Sequence, residues 1–210
     1  MTKIKICGLS RTEDIETVNR LQPEFIGWVF AESRRKVEVK TASQLRKNLD
    51  PQIEAVGVFV NENIDTITKI YQDRIIDIVQ LHGDEDDAYI RQLQAHCACR
   101  VIKAVGIGET LPSLPIAPDY LLFDTRSAQR GGLGQTFDWN ILKEYTGLPF
   151  FLAGGLSMEN VTDAIHLLAP WCVDVSSGVE TQGVKDADKM EKFVCLVRRE
   201  QQPMTDRRSD

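Results

Sequence analysis

Short apolar runs recur along the chain at intervals of roughly 20–30 residues, and most are apolar throughout instead of alternating. They fall at residues 4–7, 25–30, 53–60, 77–81, 100–105, 120–124, 150–153 and 172–176. Unbroken apolar character is the mark of parallel strands covered on both faces. The segments between them carry apolar positions every three or four residues, which predicts helices over residues 12–21, 41–49, 64–72, 86–95, 139–145, 158–168 and 187–199. Asp138 before Trp139 and Ser157 before Met158 sit where N-caps belong. Residues 106–118 break the rhythm: Gly106, Gly108, Pro112, Pro115 and Pro118 exclude a full fifth helix and predict a loop with at most one helical turn.

Eight strands, seven good helices and one helix degraded to a loop predict a closed (β/α)8 or TIM barrel, a single domain over residues 1–200 with a fraying polar tail at 201–210. An open doubly wound sheet would place a glycine fingerprint after its first strand, where this chain reads Cys7-Gly8-Leu9-Ser10. At 210 residues and 42% hydrophobic, the chain is long enough for one well-buried core. No stretch nears the roughly 20 unbroken apolar residues of a membrane span. The first residues enter a strand at once, leaving no room for a signal segment, so the expected location is cytoplasmic.

A net charge of −6 argues against a nucleic-acid partner. It leaves room for an anionic metabolite, because the local field of a pocket can oppose the global charge. The five cysteines (Cys7, Cys97, Cys99, Cys172, Cys195) are odd in number and unevenly spaced, as reduced thiols would be. His96-Cys97-Ala98-Cys99 lacks a second ligand pair at metal-binding spacing, so it reads as small thiols packed at a helix end and no metal is expected.

Polar and glycine residues gather where the strands end. Strand 1 ends in Cys7-Gly8, strand 2 runs into Ser33-Arg34-Arg35, strand 4 into Gln80-Leu81-His82-Gly83, and strand 6 into Asp124-Thr125-Arg126. Strands 7 and 8 end in the turns Gly154-Gly155 and Ser176-Ser177-Gly178-Val179. In a barrel all these ends lie around one mouth, and the loops after strands 7 and 8 form a phosphate pocket. Each residue alone has an ordinary structural reading: a small core thiol, a buried histidine, a solvated basic run, a turn cap. Their joint placement points to a site for a small phosphorylated molecule. The segment Gly131-Gly132-Leu133-Gly134-Gln135-Thr136 lacks the Gly-Lys-Ser/Thr ending of a P-loop and is expected to be a mobile lid. With three histidines, His96 at the far end and His166 within a helix, no Ser/His/Asp triad can be assembled.

The motifs Lys5-Ile6-Cys7-Gly8-Leu9, Gly57-Val58-Phe59-Val60-Asn61, Gln80-Leu81-His82-Gly83, Asp124-Thr125, Gly131-Gly132-Leu133-Gly134 with Phe137-Asp138-Trp139, Leu152-Ala153-Gly154-Gly155-Leu156, and Val173-Asp174-Val175-Ser176-Ser177-Gly178-Val179-Glu180 follow one another in this order. Through them the chain resembles, over nearly its whole length, the phosphoribosylanthranilate isomerase family of tryptophan biosynthesis. The resemblance implies a cofactor-free barrel performing an Amadori rearrangement of N-(5-phosphoribosyl)anthranilate to 1-(2-carboxyphenylamino)-1-deoxyribulose 5-phosphate. It implies Cys7 as general base and Asp124 as general acid. It further implies Arg35 on the anthranilate carboxylate, Gly154, Gly155, Ser177 and Gly178 on the phosphate, and His82 and Asp174 lining the pocket. After Ser33 the family often has proline, arginine and an aromatic where this chain has Arg34, Arg35 and Lys36, so Arg34 stays open as the carboxylate ligand. Leu133 stands where a threonine is expected.

The reaction needs a neutral acid at the furanose oxygen and a base at the C2′ proton. It therefore calls for a carboxyl held protonated at Asp124 and a thiolate favoured at Cys7, with Arg35 as the expected source of positive field. Two alternatives remain at this stage. One is another phosphate-binding barrel enzyme (epimerase, aldolase or sugar-phosphate synthase), for which Lys103 is the lysine available to a Schiff base. The other is a non-catalytic phosphoribosyl-ligand sensor. The sequence does not distinguish a monomer from a homodimer.

Overall fold

The computed structural model describes residues 1–125 and 136–200. Eight parallel strands close on one another in chain order. They are β1 Lys3–Cys7, β2 Phe25–Val29, β3 Glu54–Phe59, β4 Ile78–Leu81, β5 Arg100–Ile107, β6 Tyr120–Thr125, β7 Phe150–Leu152 and β8 Cys172–Val175. Six α-helices surround them among the described residues: α1 Thr12–Leu21, α2 Val39–Arg46, α3 Ile64–Gln72, α4 Asp87–Cys97, α5 Val161–Leu168 and α6 Ala187–Arg199. A small antiparallel hairpin, β9 Glu180–Thr181 and β10 Val184–Lys185, follows β8. None of the described helices is long and apolar enough to cross a membrane.

Strand side chains alternate between two cores because successive Cβ atoms point to opposite faces. Phe25, Val56, Ile78, Ile102, Leu122, Phe151 and Cys172 form the barrel interior. Ile4, Ile6, Ile26, Trp28, Val79, Val101, Phe123 and Val173 pack outward against the helices. The interior has an aromatic floor, where Phe25, Tyr120, Phe151 and Trp171 meet at centroid distances of 4.7 to 5.8 Å. Below it, the first N–H groups of alternate strands are taken by carboxylates: Ile4 N donates to Glu24 (2.8 Å), Ala55 N to Asp77 (2.8 Å) and Val101 N to Asp119 (2.7 Å). The N-terminal end of the barrel is thus closed and satisfied, which leaves the opposite mouth for chemistry.

Helix ends follow local chemistry. Asp14 accepts the N–H groups of Ser10 and Arg11 (both 3.0 Å) and fixes the start of α1, whose buried Ile15, Val18 and Leu21 make its inner stripe. Between β5 and β6 the expected loop forms, without a helical turn, and Ile116 and Ala117 donate their N–H groups to the Asp87 side chain. Two other segments differ from the sequence reading. The helix expected over 139–145 is a 3-10 turn, Trp139–Leu142, capped as foreseen by Asp138 accepting from Asn140 N (3.0 Å). It stops because the chain folds back at Tyr145, whose hydroxyl donates to Leu148 O (2.9 Å) just past Gly147. Finally, α5 begins at Val161, since Ser157 and Asn160 close a tight turn on each other (Ser157 N to Asn160 Oδ1, 2.9 Å). The expected lid lies outside the described residues except for exposed Thr136, as do Arg126 and the tail.

The fully buried Phe151 joins the floor to the interior stack. Phe151→Ala is expected to cost about 3–5 kcal/mol of unfolding free energy by urea titration. A loss below about 1 kcal/mol would mean that the floor collapses around the cavity and carries little of the stability.

Candidate active site

Lys5 and Cys7 lie two residues apart on β1 and so share its inner face. Cys7 pairs in register with Gly27, where a Cβ would come within 2.6 Å of the Cys7 sulfur, so the glycine makes room for the thiol. Ser176 Oγ donates to Cys7 O (2.9 Å), tying the end of β8 to the end of β1. Lys5 is completely buried, and its Nζ donates to Asp174 Oδ2 at 2.7 Å. Asp174 Oδ1 is buried with no hydrogen-bond partner among the described residues.

Charge balance at this end departs from the expectation for Cys7. Burial pushes the Cys7 thiol above its ordinary range; Lys5 and Lys185 pull it back, and Asp174 adds to the rise. Burial lowers the pKa of Lys5, but the charges of Asp174 and Cys7 outweigh it and raise the pKa overall. Burial raises Asp174 as well, with Lys5 opposing. The cations that act most strongly on Cys7 are therefore Lys5 and Lys185, ahead of the Arg35 that the sequence suggested.

Across the mouth, Asp124 Oδ1 accepts from Thr125 N (2.7 Å), and its Oδ2 lies 3.3 Å from His82 Nε2. The amide Nε2 of buried Gln80 is 3.0 Å from His82 Nδ1. With the Gln80 amide donating, Nδ1 is the acceptor, so this network assigns the imidazole proton to Nε2, facing Asp124. Asp174 feels the charges of both Asp124 and His82, so the two sides of the mouth lie within electrostatic reach of each other.

The two glycine turns are neighbours. Gly154 and Gly155 adopt φ of 81° and 71°, a region closed to most side chains. A Cβ at Gly154 would lie 2.5 Å from Thr125 Oγ1 and 2.8 Å from Asp124 Oδ1. At Gly178 it would meet Leu156 O at 2.1 Å, so the loop after β8 rests directly on the loop after β7. Ser177 opens a 3-10 turn, Ser177–Val179, at the same edge.

Arg35 lies across Gly8, where a Cβ would come 2.6 Å from its Cδ. Its side chain is 14% exposed against 55% for Arg34, so Arg35 is the arginine turned into the protein. Both bind Glu180: Arg35 Nε donates to Oε1 (2.6 Å) and Nη2 to Oε2 (3.0 Å), while Arg34 Nη2 donates to Oε2 (2.8 Å). Lys185 Nζ joins them, donating to Glu180 Oε1 (2.7 Å) and Ser176 O (2.9 Å). Burial would raise Glu180, but hydrogen bonds from Arg35 and Lys185 outweigh it and hold the carboxyl below its ordinary range. Burial lowers Lys185, with Glu180 opposing.

All nine residues singled out in the sequence (Cys7, Arg35, His82, Asp124, Gly154, Gly155, Asp174, Ser177 and Gly178) thus lie at or just beyond the C-terminal strand ends, around one mouth. Sequence reasoning missed Lys5, Gln80, Glu180 and Lys185. Lys5 and Gln80 were findable by parity, since each stands two residues before a chosen site residue on the same strand face. Lys103 is a correction. It points away from the interior, neighbouring inward Ile102, and its Nζ is held by Glu85 (3.0 Å) and Gly83 O (2.6 Å). Among the described residues no three His, Cys, Asp or Glu side chains gather as metal ligands.

The closed parallel barrel and the polar groups collected at its C-terminal mouth define a (β/α)8-barrel enzyme. Residues 4–195 match the family model described as N-(5'phosphoribosyl)anthranilate (PRA) isomerase, and the chain belongs to that family. An N-(5'-phosphoribosyl)anthranilate isomerase from Endomicrobium trichonymphae is 48% identical over 199 residues, covering 94% of this chain and 99% of the relative. The crystal structure of phosphoribosyl anthranilate isomerase from Thermus thermophilus superposes with a TM-score of 0.84 at 28% identity, covering 94% of this chain and 99% of that one. A solved isomerase in complex with reduced 1-(o-carboxyphenylamino)-1-deoxyribulose 5-phosphate superposes with a TM-score of 0.80 at 31% identity, with coverage of 94% and 99%. The chain is accordingly an isomerase of tryptophan biosynthesis.

Glu180 held below the carboxylate range stabilises the folded chain above its unfolded pKa, near 4.3, and that contribution is lost as pH falls. Unfolding free energy is expected to drop more steeply between pH 6 and 3 in the wild type than in Glu180→Gln. Parallel profiles for the two would show that Glu180 is not clamped by its three cations.

Proposed function

We propose that this mouth performs the Amadori rearrangement of N-(5-phosphoribosyl)anthranilate by general acid–base catalysis, with Cys7 and Asp124 as the reacting pair. The observation that carries the reading is their placement on the inner faces of β1 and β6 at one end of a closed barrel, beside a pair of abutting glycine turns. Gly154-Gly155 and Ser177-Gly178 take the phosphate through backbone N–H groups, with α5 behind the first turn. A dianion seated there lies next to Asp124 and repels its carboxylate form. Asp124 then donates its proton to the furanose oxygen, the C1′–O bond breaks, and a Schiff base forms with the anthranilate nitrogen. The His82 Nε2–H and Thr125 N–H groups stabilise the carboxylate left behind.

Cys7 as thiolate removes the C2′ proton, and the resulting enolamine relaxes to the ketone. No net redox change or added water is required, and the route uses no cofactor. Glu180 occupies the Nε–Nη2 edge of Arg35, and the substrate carboxylate takes the Nη1–Nη2 edge in a two-bond fork. Asp174 Oδ1 accepts from a sugar hydroxyl. Every one of these groups comes from a single chain, so a monomer or a homodimer serves equally, working in the cytoplasm on a diffusible phosphorylated substrate. Family membership favours this chemistry over an epimerase, an aldolase, a synthase or a ligand sensor.

Turnover of freshly generated phosphoribosylanthranilate, followed by loss of its fluorescence, tests the pair. Cys7→Ser and Asp124→Asn are expected to lower kcat by about 10²–10⁴ with modest changes in KM. A near-normal rate for either variant removes that residue from its role. On the binding side, Arg35→Ala should raise KM more than Arg35→Lys, which keeps the charge but loses the fork. Equal KM values in the two would take the carboxylate away from Arg35.

A further inference from the structure

The mechanism above leaves unused the largest buried charge beside its base. Lys5 is completely buried, stands two residues before Cys7 on the same strand face, and bonds Asp174 Oδ2 at 2.7 Å across the seam where β8 closes on β1. The layer beneath it is apolar, built from Phe25, Ile102, Leu122, Phe151 and Cys172. A buried ion pair is poor evidence of a stabilising device, because apolar side chains of similar volume commonly replace one without loss. A barrel interior has no packing need for an ammonium at this level, so the charge calls for a chemical account.

Burial and three charged groups set the charge at the Cys7 sulfur. Burial and Asp174 favour the thiol, while Lys5 from β1 and Lys185 from β10 favour the thiolate. Asp174 in turn faces Asp124 on β6 and His82 beyond β4. Lys185 is already engaged by Glu180 Oε1 and Ser176 O. Lys5 has one carboxylate partner, Asp174, and from two residues below on the same strand face its charge acts on Cys7.

We propose that Lys5 is a positioning residue for the isomerase reaction, its buried ammonium easing formation of the Cys7 thiolate under C2′ while it clamps Asp174 by one oxygen. The assignment rests on Cys7 being the base. The proton balance is simple. The thiol releases its proton to solvent before the substrate closes the mouth, the thiolate takes the C2′ proton and becomes thiol again, and Lys5 remains an ammonium throughout. Lys5 touches no reacting carbon, and it acts by lowering the cost of the thiolate beside it.

The test reads the thiol directly. The rate of Cys7 alkylation by iodoacetamide, mapped by peptide mass so that exposed Cys195 is counted separately, is followed against pH. Lys5→Met alone leaves a buried carboxylate unpaired and Asp174→Asn alone a buried ammonium, so both are removed together and Lys5→Met/Asp174→Asn is compared with the wild type. Of the two opposing charges Lys5 acts the more strongly on Cys7, so the alkylation midpoint is expected to rise by about half a pH unit or more in the double variant, which is about threefold less thiolate at a given pH. Its kcat should fall by a similar factor or more. A purely structural Lys5 would lower the melting temperature and leave the alkylation midpoint unmoved, and that result overturns the assignment. Full activity in Cys7→Ser would instead overturn the base on which it rests, and it is read separately from the alkylation curve.

Discussion

The barrel closes where β8 meets β1, and at that seam Lys5 and Asp174 stand opposite each other in register and joined at 2.7 Å, 169 positions apart in sequence. Neither charge is tolerable there without the other. Breaking a buried pair by removing one partner typically costs about 3–5 kcal/mol, a large share of the 5–15 kcal/mol that separates folded from unfolded domains. The pair therefore couples closure of the fold to the state of the mouth. It sits between the apolar stack below and Cys7 above, so the same contact that completes the interior also sets the electrostatic ground on which the thiol titrates.

A second cluster mirrors it at the rim. Glu180 gathers Arg34, Arg35 and Lys185 on one carboxylate, and Lys185 reaches back to the Ser176 carbonyl while Ser176 bonds the Cys7 carbonyl. The hairpin of β9 and β10 exists to make this possible, since it returns the chain by a few residues and brings Lys185 over the end of β8. A chain of net charge −6 thus presents three cations around one anion at the rim of its C-terminal mouth. Glu180 keeps those cations from repelling one another and holds Arg35 by its side edge, leaving the terminal edge aimed elsewhere.

Much of the fold was legible because parallel strands in a barrel announce themselves as unbroken apolar runs. The helices at 12–21, 64–72 and 187–199 were equally clear from their spacing. The segment after Asp138 was not, because its 3-10 turn depends on a fold-back through the Tyr145 hydroxyl that no periodicity records. The gathering of the candidate residues at one mouth was legible through the ends of strands and a family resemblance. Their electrostatics were not, for a physical reason: Arg35 was credited with the field at Cys7 because it is a visible cation near the mouth, whereas the cations that act most strongly are one lysine hidden inside an apolar run and another on a hairpin beyond β8. Ion pairs between distant strands are set by register, and register becomes visible once the barrel is closed.

Alternation along the strands then explains why one molecule keeps stability and chemistry apart without a second domain. On β1, Lys5 and Cys7 follow one another up the inner face; on β4, Gln80 and His82; on β6, Tyr120, Leu122 and Asp124; on β8, Cys172, Asp174 and Ser176. Each of these series ends in a polar or ionisable residue at the C-terminal end, and because every strand runs in the same direction, those ends coincide. An antiparallel barrel with the same residues would scatter them over both ends. Cys7 and Asp124 are brought to one end by strand direction and two-residue periodicity, and the glycines at 27, 154 and 178 leave room for the Cys7 sulfur, for Thr125 with Asp124, and for the Leu156 carbonyl.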